Sequence, residues 1–421
     1  MTEPHGDPHA TLRGLMTTAA DMPFPQIHIE TIRRGVRWRR RASSAAAVAA
    51  VLLISGVGVA LAAQRNGQVQ GPPTPGTGSH SAGPAHASGV PHFYIVRTST
   101  SKGEFTTVRA TATGAAKARV RCPVGAANAA PWPVAPAARQ TFFLVCQVGA
   151  KRDPSAKVSE SRVYRFQVTS AGVVGGYVPV RGGTLAGLKV QAISATPDGS
   201  EIAVMVYPGS ERNFSPATPI NIIVINTQTG ARATWHAARP VPGKTVYWPQ
   251  QISLTADGRR VAFLTTPQCF HAKNGPRCAV AGGQQVRVID HPATGGQLNG
   301  TRVLAQLSSI LNLAAASVMN AVISPDGSTL TLSIVGNLAG NVKPDSVSVV
   351  QVRATGPGTP RVVYRMVTGN GYQYAYFSAD PSVGHFLLGA GPLSRMTQGR
   401  IANGRLVPLK PAAFTVMSAV W

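Results

Sequence analysis

The residues whose type and spacing could do chemistry are few. Four cysteines stand at 122, 146, 269 and 278. Cys269 and Cys278 bracket the short stretch CFHAKNGPRC, a spacing that suits a local disulfide staple. Metal ligation by Cys269, His271 and Cys278 lacks a fourth ligand. Cys122 and Cys146 fall near the ends of neighbouring expected strands, and they either pair with each other or remain two buried thiols. His80, His86 and His92 recur regularly, with no cysteine or carboxylate beside them to complete a metal site. The motifs G-x-S-x-G, H-E-x-x-H and G-x-x-x-x-G-K-[ST] are absent, and Gly243-Lys244-Thr245 lacks the upstream glycine of a phosphate loop. Ser99-Thr100-Ser101-Lys102 matches S-x-x-K, but it has no S-D-N or K-T-G companion and falls in an expected loop. Only 11 acidic residues follow position 41. Four of them, Asp198, Asp257, Asp326 and Asp380, belong to turns, so a two-carboxylate site has a thin supply. The expectation is a chain with no catalytic residues, no metal and no cofactor.

The elements that must hold these residues are announced by a repeat. SATPDGSEIAV (194–204), SLTADGRRVAFL (253–264) and ISPDGSTLTL (323–332) share one pattern, and FSADPSVGHFLL (377–388) is a degenerate fourth copy. The physics is that of a tight corner. Proline, or alanine, presets φ, the aspartate bonds its own backbone, and glycine takes the positive φ that closes the hairpin. Asp198-Gly199, Asp257-Gly258 and Asp326-Gly327 are therefore read as structural corners. Behind each corner an alternating run is expected to be a strand with one face buried. NIIVIN (221–226), QVRVID (285–290) and SVSVVQVR (346–353) follow as third strands, and a recurring Thr-Gly is expected to close each third-to-fourth hairpin.

Four antiparallel strands per unit make a propeller blade. The S-P-D-G corners and Thr-Gly hairpins resemble WD40-like, TolB-type β-propeller repeats, though the Gly-His and Trp-Asp signature of strict WD40 domains is missing. The expected fold is all-β: a six-bladed propeller over 93–421, with seven blades as the alternative if 267–284 or 300–318 hides a degenerate unit. Phe414–Trp421 supplies one last strand, and Phe93–Thr98 reads as a second blade strand. The C-terminal strand is thus expected to complete the N-terminal blade, with the others near 130–182, 188–240, 248–307, 318–367 and 372–410.

Ala42–Ala63 is 22 residues without a charge. As a helix it spans about 33 Å, enough for a hydrocarbon core of about 30 Å. Arg33, Arg34, Arg37, Arg39, Arg40 and Arg41 precede it, which places residues 1–41 in the cytoplasm as a basic tail. A cleaved signal peptide is the competing reading, but the apolar run is too long and starts too late. Residues 64–92 form a Pro/Gly/Ser-rich linker. The layout resembles membrane-anchored propeller proteins of actinobacterial type and, more loosely, anti-sigma-type membrane regulators. Arginine outnumbers lysine by 31 to 9, in keeping with a GC-rich bacterial genome, where the sequons at Asn213 and Asn299 are incidental. Beyond the span 33 basic residues face 11 acidic ones. Outside a cell the partners this charge fits are the membrane surface, anionic cell-envelope polymers or an envelope protein, and not nucleic acid. The leading functional expectation is a membrane-tethered extracytoplasmic binding or scaffold module. A transmembrane signalling protein with a regulator-docking tail ranks second, and a propeller lyase or hydrolase third.

Overall fold

The computed structural model describes residues 91–421 apart from 101–102, 124–129, 138–139, 150–156, 211–217, 239–244, 270–282, 308–315, 337–345, 355–358, 368–373, 380–385, 392–396, 403–404, 409–414 and 421. The expected tail, span and linker therefore lie outside the described residues, as do Arg33, Arg34, Arg37, Arg39, Arg40 and Arg41. No described helix is long and apolar enough to cross a membrane.

The described chain forms six sheets, each a blade. Blade 1 holds β1 (Phe93–Thr100), β2 (Gly103–Ala110) and β3 (Ala116–Val120). Blade 2 is β4 (Ala130–Pro136), β5 (Thr141–Val148), β6 (Glu160–Val168) and β7 (Val174–Ala186). Blade 3 is β8 (Leu188–Ala195), β9 (Glu201–Pro208), β10 (Asn221–Asn226) and β11 (Arg232–His236). Blade 4 is β12 (Thr245–Leu254), β13 (Arg260–Cys269), β14 (Gln285–Asp290) and, after a two-residue β15 (Gly296–Gln297), β16 (Arg302–Gln306). Blade 5 is β17 (Ala316–Ile323), β18 (Thr329–Gly336), β19 (Ser346–Arg353) and β20 (Arg361–Val367). Blade 6 is β21 (Tyr374–Ala379), β22 (Phe386–Gly391), β23 (Thr397–Ala402) and β24 (Arg405–Pro408). The last strand, β25 (Thr415–Val420), pairs antiparallel with β1, with Ile95 opposite Val420 and Ser99 opposite Thr415. It becomes the innermost strand of blade 1.

Six innermost strands close the ring. β4 touches β8, β8 touches β12, β12 touches β17, β17 touches β21, β21 touches β25, and β25 returns to β4. A ring sealed by β25 against β1 leaves only short, protected strand edges toward its axis. The segments that the seven-blade alternative needed contribute no further sheet among the described residues.

One expectation is corrected. The strands behind the corners are buried on both faces, as in β9 and β18. Ile202, Val204 and Val206 of β9 join a core with Phe143, Val145 and Val163 of blade 2. Between them, Ala203, Met205 and Tyr207 face the other way, into a core with Ile252, Val261 and Phe263 of blade 4. Each sheet is covered on both sides by neighbouring blades, so its period-2 alternation divides two apolar cores rather than core from water. Each fully buried Ile, Leu or Val contributes about 1.5–3 kcal/mol.

A second correction concerns blade 4. Thr294-Gly295 does not close the β14–β16 hairpin. The chain instead makes two single 3-10 turns (Pro292–Thr294 and Leu298–Gly300), between which β15 pairs parallel with β11 of blade 3. Pro292 begins the first turn and cannot donate to a ladder. The Pro292 carbonyl accepts from the Trp235 indole at 2.9 Å, which holds the excursion on blade 3. In blade 3 the expected hairpin is present: Gly230 takes φ 78°, and Asn226 Oδ1 accepts from the Gln228 and Thr229 amides.

Candidate functional site

The corner aspartates, read from the sequence as structural, recur from blade to blade. Asp198 Oδ1 accepts from Thr196 Oγ1 at 2.6 Å, the Ser200 amide at 3.0 Å and Ser200 Oγ at 2.9 Å. Asp257 and Asp326 repeat this, with Thr255 or Ser324 as hydroxyl donor and Arg259 or Ser328 as amide donor. Gly199, Gly258 and Gly327 follow at φ 72°, 68° and 72°, where a side chain is strained. Burial opposes ionisation of Asp198 and Asp257, but these donors outweigh it and hold both below the ordinary carboxylate value. At Asp326 the Ser324 and Ser328 donors act almost unopposed and bring the value down to about 2. The corner carboxylates are committed to their own turns. Asp380 lies outside the described residues.

Each corner also docks on the blade before it. Gly199 sits against Phe143, Gly258 against Glu201, and Gly327 against Arg260. At the middle seam Glu201 Oε2 is buried with no hydrogen-bond partner among the described residues. Burial, and then the charges of Asp198 and Asp257, push the Glu201 carboxyl up. At the next seam Asp290 takes both Arg260, at 3.4 Å, and Arg302, at 3.1 Å.

The ring axis supplies a second set of residues, which the sequence reading did not single out. Five of the six innermost strands carry an irregularity against the second strand of their blade. The extra residue is Gln191 in β8, Gln250 in β12, Met319 in β17 and Met417 in β25, while in β4 Trp132-Pro133 takes this place. A bulge bends its strand and re-aims a side chain. Gln191, Gln250 and Met319 each stand seven residues before a corner aspartate, and Gln373 stands at the same distance from Asp380 but outside the described residues. That Gln-to-Asp spacing is the sequence signal that could have found them. Glutamines of preceding blades brace the positions beside two bulges. Gln147 Nε2 donates to the Val190 carbonyl at 2.6 Å, while the Gln284 carboxamide donates to the Val318 carbonyl at 2.9 Å and accepts its amide at 2.7 Å. Gln191 Oε1 is buried and has no partner among the described residues. The site so built is neutral and hydrogen-bonding. The one charge on the innermost strands is Lys189, 4% exposed and set over the Tyr207 ring. Burial pushes the Tyr207 hydroxyl up to about 12.

Of the cysteines, Cys122 and Cys146 are joined in a disulfide with Cα atoms 5.8 Å apart, tying the end of β3 to β5 in the next blade. Cys269 ends β13, and Cys278 and His271 lie outside the described residues. Ser99 and Thr100 belong to β1 rather than to a loop. Among the described residues no group of three His, Cys, Asp or Glu side chains could hold a metal.

Fold and site together define a closed six-bladed β-propeller. No protein-family model and no curated protein matches the chain. Among solved structures it is similar to a prolyl endopeptidase, at 15% identity over 68% of this chain and 36% of that one, with a TM-score of 0.36. It is similar to the β-propeller domain of the Trilobed protease from Pyrococcus furiosus, at 10% identity over 76% and 94%, with a TM-score of 0.41. A TolB protein of Agrobacterium tumefaciens is similar at 11% identity over 77% and 90%, with a TM-score of 0.39. The chain spans about a third of the prolyl endopeptidase's length. These likenesses carry no argument about activity, and the propeller stands on the chain's own strand order.

Proposed function

We propose that the chain is a membrane-tethered, extracytoplasmic propeller acting as a binding or scaffold module. One observation carries this reading: β25 pairs with β1 to complete blade 1, and the chain enters that sealed ring through a lead at Phe93. That lead runs back through the Pro/Gly/Ser-rich stretch 64–92 to the uncharged run 42–63 behind its arginine cluster. A sealed ring on a flexible tether suits the display of a rigid surface. The neutral hydrogen-bonding groups at the axis, Gln191 and Gln250, are suited to hold a ligand rather than to transform one.

The test uses the full chain in membrane vesicles of known orientation. Protease added to the extracytoplasmic side is expected to reach the propeller and leave 1–41 intact. The solubilised full chain is then offered anionic wall polymers and envelope proteins. A propeller found on the cytoplasmic side ends the proposal. Retention of a cytoplasmic regulator by residues 1–41, with nothing held by the propeller, replaces it with the signalling reading, and turnover of a small ester or peptide replaces it with an enzyme.

A further inference from the structure

The outermost strands show what the propeller offers at its rim. Among the described residues the six large apolar side chains that remain exposed, Val173, Val178, Val303, Val362, Val367 and Val407, lie on or beside an outermost strand. Those strands also carry Lys117, Arg119, Arg181, Arg232, Arg302, Arg361, Arg365 and Arg405, and not one carboxylate. An edge strand presents unpaired amides and carbonyls that template a further strand unless something blunts it.

Most of these edges are blunted. β3, β16 and β24 have only five, five and four residues. β7 is long but broken by two register shifts, with Gly176 and Gly182 at positive φ. The outer edge of β11 is already taken by β15, which proves within this molecule that an outermost strand accepts an added one. β20 is different. It runs seven residues, RVVYRMV, contains no glycine or proline and has a single register shift, at Val363, and nothing pairs with its outer edge among the described residues. Val362 and Val367 are 50% and 70% exposed, and Arg361 and Arg365 are exposed with no ion pair among the described residues.

We infer that the outer edge of β20 is a strand-addition site for an extended, acidic peptide segment of a partner protein. Main-chain pairing along the edge supplies affinity, and side chains at alternate positions supply selectivity. Acidic residues opposite Arg361 and Arg365 make favourable cross-strand pairs, and β-branched residues cover the valines. A second copy of this chain fits poorly, since it would bring a like-charged edge to this one. The inference rests on the binding-module reading and names the partner's chemistry.

The experiment titrates the full chain with a short extended Glu–Val peptide bearing glutamates on both faces and, separately, with a Lys–Val peptide in which lysine replaces each glutamate, while following amide exchange. The Glu–Val peptide is expected to bind and to slow exchange across 361–367. The variant Arg361→Glu/Arg365→Glu is expected to lose about tenfold in affinity for it and to gain for the Lys–Val peptide. Unchanged exchange in β18 checks that the variant is folded. Equal binding by the variant, protection elsewhere, no binding of the Glu–Val peptide, or self-association through 361–367 each overturns the inference. Vesicle topology can fail while this binding holds, and the reverse, so the two proposals fail separately.

Discussion

The innermost and outermost strands of this propeller are built from the same repeat to opposite specifications. β8, β12 and β17 carry one charge among them, and they are braced by hydroxyls that cross from blade to blade. Ser194 Oγ accepts the Leu254 amide at 3.0 Å, and one blade further on Ser253 Oγ accepts the Ile323 amide at 3.2 Å. Apart from β11, which takes β15, the fourth strands pair with nothing on their outer side among the described residues, and many of their side chains meet water. The difference teaches that radial position, more than strand propensity, decides what each residue contributes here.

The sharpest way to break this contrast is to truncate one residue from each region. Ile323→Ala, at the buried end of β17, is expected to cost about 2–4 kcal/mol in denaturant unfolding, whereas Val362→Ala on β20 stays within about 0.5 kcal/mol. Equal costs would mean that the ring is not the core. The covalent tie between rim and interior comes next. Cys122→Ser/Cys146→Ser opens a loop with a sequence separation of 24 and is expected to lose about 3 kcal/mol, read from the same transitions. Ser253→Ala leaves the buried Ile323 amide without its acceptor, at a cost of about 1–2 kcal/mol. The smallest effect belongs to the exposed corner at Asp326. Its lowered carboxyl contributes stability that is complete above the unfolded value near 4. That contribution is lost as pH falls toward about 2. Asp326→Ala should therefore lower the melting temperature slightly at pH 7, and the difference should vanish near pH 2.

Much of the architecture was legible because corners are local. Asp198-Gly199, Asp257-Gly258 and Asp326-Gly327 dictate their turns through hydrogen bonds within five residues, and the order of the β-rich runs then fixed six blades. The last strand could be assigned to blade 1 because that blade lacked one. What stayed hidden depends on contacts between blades. Burial on both faces of β9 needs two neighbouring sheets, and the capture of Gly296-Gln297 by blade 3 needs Trp235 beside it. The bulge residues Gln191 and Gln250 are ordinary in sequence, and only the register against the second strand makes them extra. The rim at β20 was hidden for the same reason: RVVYRMV reads as any half-buried strand until its outer edge is seen to be unpaired.

Sealing of the ring by the chain's two ends is tested most directly by amide hydrogen exchange in the full chain. If β25 is the innermost strand of blade 1, the amides of 415–420 exchange as slowly as those of β9, and deleting 415–421 releases those of β1 as well. Fast exchange across 415–420 in the intact protein, or a β1 indifferent to the deletion, would contradict a closed propeller.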